Sequence, residues 1–212
     1  MSQEVTDSNE IMAIDKWASN GHLIADCHRL GYIDDLDSVL DPTYGYGVFW
    51  SEWKPKGYLF HGSDTDPEKS PDSPNGDDFR KLPHADQSFD VVVYDPPYTF
   101  RGTSALASDE KYGVHVNERW KDRWELIYDG LQEACRIARR RVLMKCQASV
   151  VSGRVRWQDI EAVSVAETCG FGLRDRFDFL SYRKQPEGRS QKTARRNAST
   201  LLVLERDWKW RP

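Results

Sequence analysis

The residues best suited to chemistry in this sequence are Asp95-Pro96-Pro97-Tyr98, set directly after the apolar run Phe89-Asp90-Val91-Val92-Val93-Tyr94. A run of that composition reads as a buried parallel strand, so the tetrapeptide stands at a strand's carboxyl end. With each residue at roughly 5% usage, the four would occur in this order by chance in about one chain of this size in a thousand. A carboxylate followed by two prolines offers two acceptors, the Asp95 side chain and the Pro96 carbonyl, on a turn whose φ angles the pyrrolidine rings hold. Tyr98 adds an aromatic face on which a planar ring can stack. Such a set suits an amine conjugated to the ring of a nucleobase. The lone pair of that amine is delocalised, and accepting both N–H groups draws the nitrogen toward tetrahedral geometry. A base inside a duplex would first have to leave the stack. The competing reading is a proline-rich strand terminator.

A second set precedes it. The segment Ser38 to Leu40 reads as a short strand and delivers the loop Asp41-Pro42-Thr43-Tyr44-Gly45-Tyr46-Gly47, where open α/β sheets bind ligands. Glycines at 45 and 47 let the backbone approach a ligand, although a Gly-x-Gly alone equally describes a tight strand-to-helix turn. A dinucleotide fingerprint would place a third glycine where Trp50 stands. Seventeen residues after Gly47, Asp64 ends the next expected strand (Gly57 to His61), where a carboxylate can accept both ribose hydroxyls. Asp66, before Pro67, reads as a turn residue. Asp78 and Phe79 follow the end of an expected third strand, placed to accept from an adenine amine and flank its ring. The order and spacing are those an adenosine ligand needs.

The elements that must position these residues follow from periodicity. Helical spacing runs from Ile11 to Leu30 with a break expected at Asn20-Gly21, and a helix start is expected over Val48 to Trp53. Asp66 to Gly76 holds three prolines and reads as a loop; Glu118 to Arg139 is an amphipathic helix, within which Trp120 and Trp124 are expected to be core. Arg141 to Gln147 is a fifth strand, Ile160 to Cys169 part of a helix ended by Gly170, Phe171 to Tyr182 a long strand and Thr200 to Leu204 the last. Strands alternating with helices predict an α/β fold: a doubly wound, mostly parallel seven-stranded sheet with helices on both faces and an antiparallel last strand in an edge hairpin.

At 212 residues and 39% hydrophobic content, the chain supports one core and a single domain over 1–212. No apolar run approaches the roughly 20 residues of a membrane span. Residues 1–10 are polar and acidic without a secretory pattern, and are expected to be disordered in a cytoplasmic protein. The four cysteines, Cys27, Cys135, Cys146 and Cys169, are widely spaced among apolar neighbours, which predicts burial and indicates neither a disulfide framework nor a zinc site. Charge is asymmetric: residues 1–90 carry 18 acids and 7 bases, the remainder 16 acids and 23 bases. That fits a cationic cofactor in the first half and a polyanion at the second, or simply a solvated surface. The loop 99–120 and the basic segment 183–198 are the candidate target-binding regions, with Arg101, Lys111, Lys184, Arg189, Arg195 and Arg196 as candidate phosphate contacts. Arg139-Arg140-Arg141 reads as a helix-end cap.

From Asp41 to Gly47 and from Asp95 to Tyr98 the sequence resembles the class I amino-methyltransferases of DNA, with motifs Asp-Pro-Phe-x-Gly-x-Gly and Asp/Asn/Ser-Pro-Pro-Tyr/Phe/Trp. The likeness spans roughly residues 35–205. The stretches Lys145-Cys146-Gln147 to Trp157 and Arg195 to Thr200 resemble small phage and actinobacterial members. The resemblance implies a Rossmann-like methyltransferase fold, S-adenosylmethionine as co-substrate, no metal, and DNA as partner. It places Asp41, Tyr44, Gly45 and Gly47 around the methionine part of the cofactor, Asp64 at the ribose, and Asp78 with Phe79 at the adenine. Asp95, Pro96, Pro97 and Tyr98 become the catalytic residues. Thr43 stands where the family commonly has Phe, and Tyr44 where it has a cysteine or serine-sized residue. Asp at 95 favours adenine N6 as acceptor. Cytosine N4, an RNA adenine, and a non-catalytic nucleic-acid-binding protein of the same fold are the alternatives.

Overall fold

A computed structural model describes residues 10–98, 120–151, 153–181, 194 and 196–208. The central strand β4 (Phe89–Tyr94) explains its own composition. Val92 and Tyr94 pack with Leu40, Ile127, Leu131 and Met144 on one face, while Val91 and Val93 pack with Ile24, Leu143, Leu201 and Val203 on the other. A strand covered on both faces has no side to leave polar. The helices that cover it are α1 (Asn20–Arg29) on the second face, and α2 (Trp120–Ile137) with α3 (Gln158–Thr168) on the first.

The other strands are β1 (Ile14–Asp15), β2 (Val39–Asp41), β3 (Phe60–Gly62), β5 (Ala138–Cys146), β6 (Ser149–Val151), β7 (Arg154–Arg156), β8 (Phe171–Leu180) and β9 (Ala198–Arg206). Seven form one sheet in the order β1-β8-β9-β5-β4-β2-β3, and β6 with β7 forms a separate hairpin. The pairs β1–β8, β2–β3, β2–β4 and β4–β5 are parallel. Strand β9 inserts between β5 and β8, antiparallel to both. The expected α/β class, both-face helices and antiparallel last strand are therefore present. Chain order reverses between β2 and β4, and the crevice outside their carboxyl ends is where such sheets bind ligands.

Several expectations are corrected. No strand precedes Asp78: the described residues between β3 and β4 hold only a short 3-10 turn, Pro67–Lys69. Prolines at 67, 71, 74 and 83 cannot donate to a ladder, so β3 remains the sheet's edge. The seventh strand is instead β1, drawn from the segment whose spacing suggested a helix, and β8–β9 is not itself the sheet's edge. Helix α1 begins at the expected break, capped by Ser19, whose hydroxyl accepts from the His22 N–H at 3.4 Å; the helix expected after Val48 stops at Trp50. Cys27, Cys135 and Cys146 are buried, but Cys169 only partly so. Trp124 packs against the core and donates to Glu161 at 2.9 Å; the side chain of Trp120 lies outside the described ones, as do residues 1–9, the loop 99–119 and most of 183–198.

The three consecutive arginines cap no helix. Arg139 pairs with Asp90, Arg140 with Asp34 and Asp37, and Arg141 with Glu205 at 2.7 Å. Asp90 also accepts from the Ser38 N–H at 3.0 Å and its hydroxyl at 2.7 Å, which ties β2 to β4 at their amino ends. Part of the charge asymmetry is thus consumed by pairs between the two halves of the chain. Among the described residues no helix is long and apolar enough to cross a membrane.

At Gly130 in α2 the helix lies directly against the core: a Cβ there would lie 2.2 Å from the Tyr94 hydroxyl and 2.6 Å from the Phe79 ring. Alanine in a helix interior ordinarily gains up to about 1 kcal/mol over glycine, but overpacking of a core costs about 1–3 kcal/mol. Gly130→Ala is therefore expected to lower stability in urea denaturation, against the helix-propensity trend.

Candidate functional site

The acids singled out from the sequence gather at the carboxyl ends of β2, β3 and β4. Asp41 ends β2 and is 3% exposed. Its Oδ2 accepts from Trp50 Nε1 at 2.7 Å, and its Oδ1 from the Thr43 N–H at 2.9 Å and the Thr43 hydroxyl at 3.1 Å. Burial pushes its carboxyl up to about 7, against the lowering effect of these donors. The same Thr43 hydroxyl accepts the Asp95 N–H at 2.9 Å, so one side chain joins the glycine loop to the end of β4. Thr43 stands where the resembled motif has Phe, and Trp50 closes the ring of donors around Asp41; neither role was visible as a spacing.

The loop itself is set by its glycines. Gly45 and Gly47 have φ of +54° and +67°, in the left-handed region that favours glycine, and a Cβ on Gly47 would lie 2.6 Å from the Tyr44 hydroxyl. Tyr44 folds back over its own loop and sits edge-on to Phe60, ring centroids 6.0 Å apart. The Gly45 N–H donates to Asp64 Oδ2 at 3.0 Å, while Asp64 Oδ1 accepts from the Asp66 N–H at 2.9 Å. Asp64 O in turn accepts the Asp77 N–H at 2.9 Å, which draws the next loop in. There Asp78 pairs with Arg80 at 2.6 Å, and Arg80 holds its carboxyl below the usual range. Phe79 is buried edge-on to Tyr94 at 5.5 Å, so its ring belongs to the core beneath the loop.

Asp95 is half-buried, and its Oδ1 is screened from solvent with no hydrogen-bond partner among the described residues. A buried carboxylate oxygen without a donor costs free energy, and a ligand N–H would remove that cost. Burial raises the Asp95 carboxyl to about 6; the positive charge of Lys145 pulls it down. Lys145 is itself 1% exposed, at the carboxyl end of β5. It donates to Asn20 Oδ1 at 2.5 Å and lies 4.8 Å from the Phe179 ring centroid; burial lowers its pKa and Asp95 opposes that. The signal in the sequence was a lone cation at the end of the apolar run Val142-Leu143-Met144. The tetrapeptide is anchored from behind: buried Gln158 donates to the Tyr98 carbonyl at 2.5 Å and Arg123 to the Pro97 carbonyl at 3.4 Å. Pro96 is buried and Tyr98 packs partly against the core.

No known family profile matches the sequence, and no curated protein matches it. Solved structures do. A proposed RNA methyltransferase from Pyrococcus horikoshii matches with a TM-score of 0.52 at 14% identity, over 94% of this chain and 90% of that chain. The chain has the Rossmann-like methyltransferase fold. Magnesium protoporphyrin IX methyltransferase from Synechocystis PCC 6803, with bound SAH, matches at a TM-score of 0.52 and 12% identity over 88% of this chain and 81% of that chain. These two, named for such different substrates, share one fold, so the substrate must be argued from the site. A proposed DNA modification methylase from Thermus thermophilus matches at a TM-score of 0.43 and 13% identity over 64% of this chain and 54% of that chain.

Thr43→Val should leave the Asp95 N–H without its acceptor and Asp41 with one donor fewer, at a cost of about 1–3 kcal/mol. Urea denaturation checks this, and Thr43→Ser, which keeps the hydroxyl, should restore most of the loss.

Proposed function

We propose that this chain is one catalytic domain that transfers a methyl group from S-adenosylmethionine to the exocyclic amine of a DNA base, adenine N6. The observation that carries the reading is Asp95. Its Oδ1 is a solvent-screened acceptor without a protein partner among the described residues, at the carboxyl end of the central strand and directly ahead of Pro96-Pro97-Tyr98.

The residues present fit the co-substrate. A cationic co-substrate would meet carboxylates beside a glycine loop that leaves room at Gly45: Asp64 accepts from the Gly45 N–H, Asp41 lies at the loop's start, and Asp95 is tied to the same loop through its backbone N–H on Thr43. Asp41 and the loop from Tyr44 through Gly45 to Gly47 would hold its methionine portion, Asp64 the ribose, and the Asp78-Phe79 loop the adenine. With the Tyr44 ring turned onto Gly47 and Phe60, the loop's contribution is its backbone. S-adenosylmethionine supplies a methyl group on a sulfonium, open to in-line displacement.

Asp95 Oδ1 and the Pro96 carbonyl accept the two amine hydrogens and draw the nitrogen lone pair out of the ring. Tyr98 stacks on the base, and the prolines keep the acceptors from swinging away. As the nitrogen forms its bond to the methyl carbon, the carbon–sulfur bond breaks, the pair stays on sulfur, and a proton leaves the nitrogen toward Asp95. Orientation of this kind contributes much of the rate. The basic residues of 99–120 and 183–198, largely outside the described residues, are the proposed phosphate contacts; Arg196, which is described, lies over the Trp157 ring at 4.6 Å.

Incubation with isotopically labelled S-adenosylmethionine and unmethylated genomic DNA or total RNA, followed by nucleoside analysis, is expected to label deoxyadenosine. Label in cytosine would overturn the choice of base, label only in RNA the choice of nucleic acid, and no label in either the enzymatic reading itself. Asp95→Ala should lose transfer by at least about 10²–10³-fold with cofactor affinity nearly unchanged. Because amine acceptance requires the carboxylate form, single-turnover transfer should fall as pH drops through about 6. Lys145→Met removes the charge that favours that form and should move the fall to higher pH.

A further inference from the structure

The segment after β3 stands where the sequence predicts a third strand, yet it contributes none; its first part is tied to the edge by Asp72 on Gly62 and by the Asp77 N–H on Asp64, and its far end reaches β3 through side chains. His61, in the middle of β3, faces away from the Phe60 cluster toward Phe89, ring centroids 6.1 Å apart. His84, from the far end of the segment, stands edge-on to His61 at 5.0 Å and to Phe89 at 5.1 Å. Asp77 completes the group: one ligand atom from each of the three residues lies within 4.8 Å of the others, and all three residues are half-buried. Asp77 Oδ2 and His84 Nε2 are both screened from solvent and have no hydrogen-bond partner among the described residues. Two such atoms in one cluster are each costly, and a cation that both could reach would remove the cost of both.

We propose that His61, Asp77 and His84 bind one divalent transition-metal ion of the zinc class, with water completing its coordination, and that the ion clamps the 77–84 segment to the edge strand. Two imidazoles with one carboxylate favour this class over magnesium or calcium, which take all-oxygen shells. Metal–nitrogen and metal–oxygen bonds of about 2.0–2.2 Å require the three ligand atoms to close by on the order of 1 Å, within reach of side-chain rotation. The site is separate from the methyl-transfer residues, and it would hold Asp78 and Phe79 through their chain neighbour Asp77. The spacing of its ligands, 61, 77 and 84, matches no short metal-binding motif.

The test uses the full chain, stripped with a chelator and titrated with Zn²⁺ alone by calorimetry and Co²⁺ alone by visible absorption. One ion per chain is expected, with the d–d bands of a nitrogen and oxygen shell and a rise in thermal midpoint on adding Zn²⁺. His61→Ala and Asp77→Asn, the latter keeping side-chain shape, should each weaken binding by at least about ten- to a hundredfold and abolish the thermal shift. His22→Gln, at a histidine outside the group, should bind as the parent does. Absence of saturable binding overturns the proposal. So does binding unchanged in both His61→Ala and Asp77→Asn, which would locate the ion elsewhere. Methyl-transfer activity enters none of these readouts, so the result stands apart from the functional reading above.

Discussion

A carboxylate withdrawn from water at the end of a parallel strand has to find donors or a positive neighbour, and two of them sit one strand apart here. Asp41 is held by three donors, two from Thr43 and one from Trp50. Asp95 keeps one oxygen without a donor and relies on the charge of buried Lys145. The Thr43 hydroxyl serves both, donating to Asp41 and accepting from the Asp95 backbone. The shape of the glycine loop and the position of the proposed acceptor are consequently one hydrogen-bonded unit. A change at the Asp41 carboxylate reaches the Asp95 backbone through a single side chain.

The two ends of the β2–β4 pair are treated in opposite ways. At the amino ends, Ser38 and Arg139 use up the Asp90 carboxylate, and neighbouring acids and arginines are paired. With their arginines partly in water, such pairs contribute modestly, but they leave that end with little to offer a ligand. At the carboxyl ends, burial keeps Asp41 and Asp95 well above the ordinary carboxylate range. Groups with perturbed pKa in a crevice at a strand-order reversal are what a functional site looks like.

The positive member of the site lies deeper than the acids. Lys145 sits under aromatic rings, with its ammonium on Asn20 from the first turn of α1. That contact links the helix on one face of the sheet to the strand beside the site. A buried lysine is tolerated when its charge has such partners, and its field is strongest where the surroundings exclude water.

Amino-acid order alone determined the features that depend on near neighbours: the largely apolar β4, the tetrapeptide at its end, the glycine turn after Asp41, and helices α2 and α3. Each is a periodicity or a dihedral preference within a few residues, so composition and spacing suffice. Tertiary structure decided the rest. A strand needs a partner, and four prolines between 67 and 83 denied β3 one on its outer side, while Ile14 and Asp15 found one on β8. Thr43 became a link between strands because β2 and β4 are adjacent, a fact no local window contains. Lys145 reads as a stray cation until the sheet places it beside Asp95. His61, Asp77 and His84 meet only because the chain folds back on the edge strand, and contacts across such separations are set by the packing of the whole sheet.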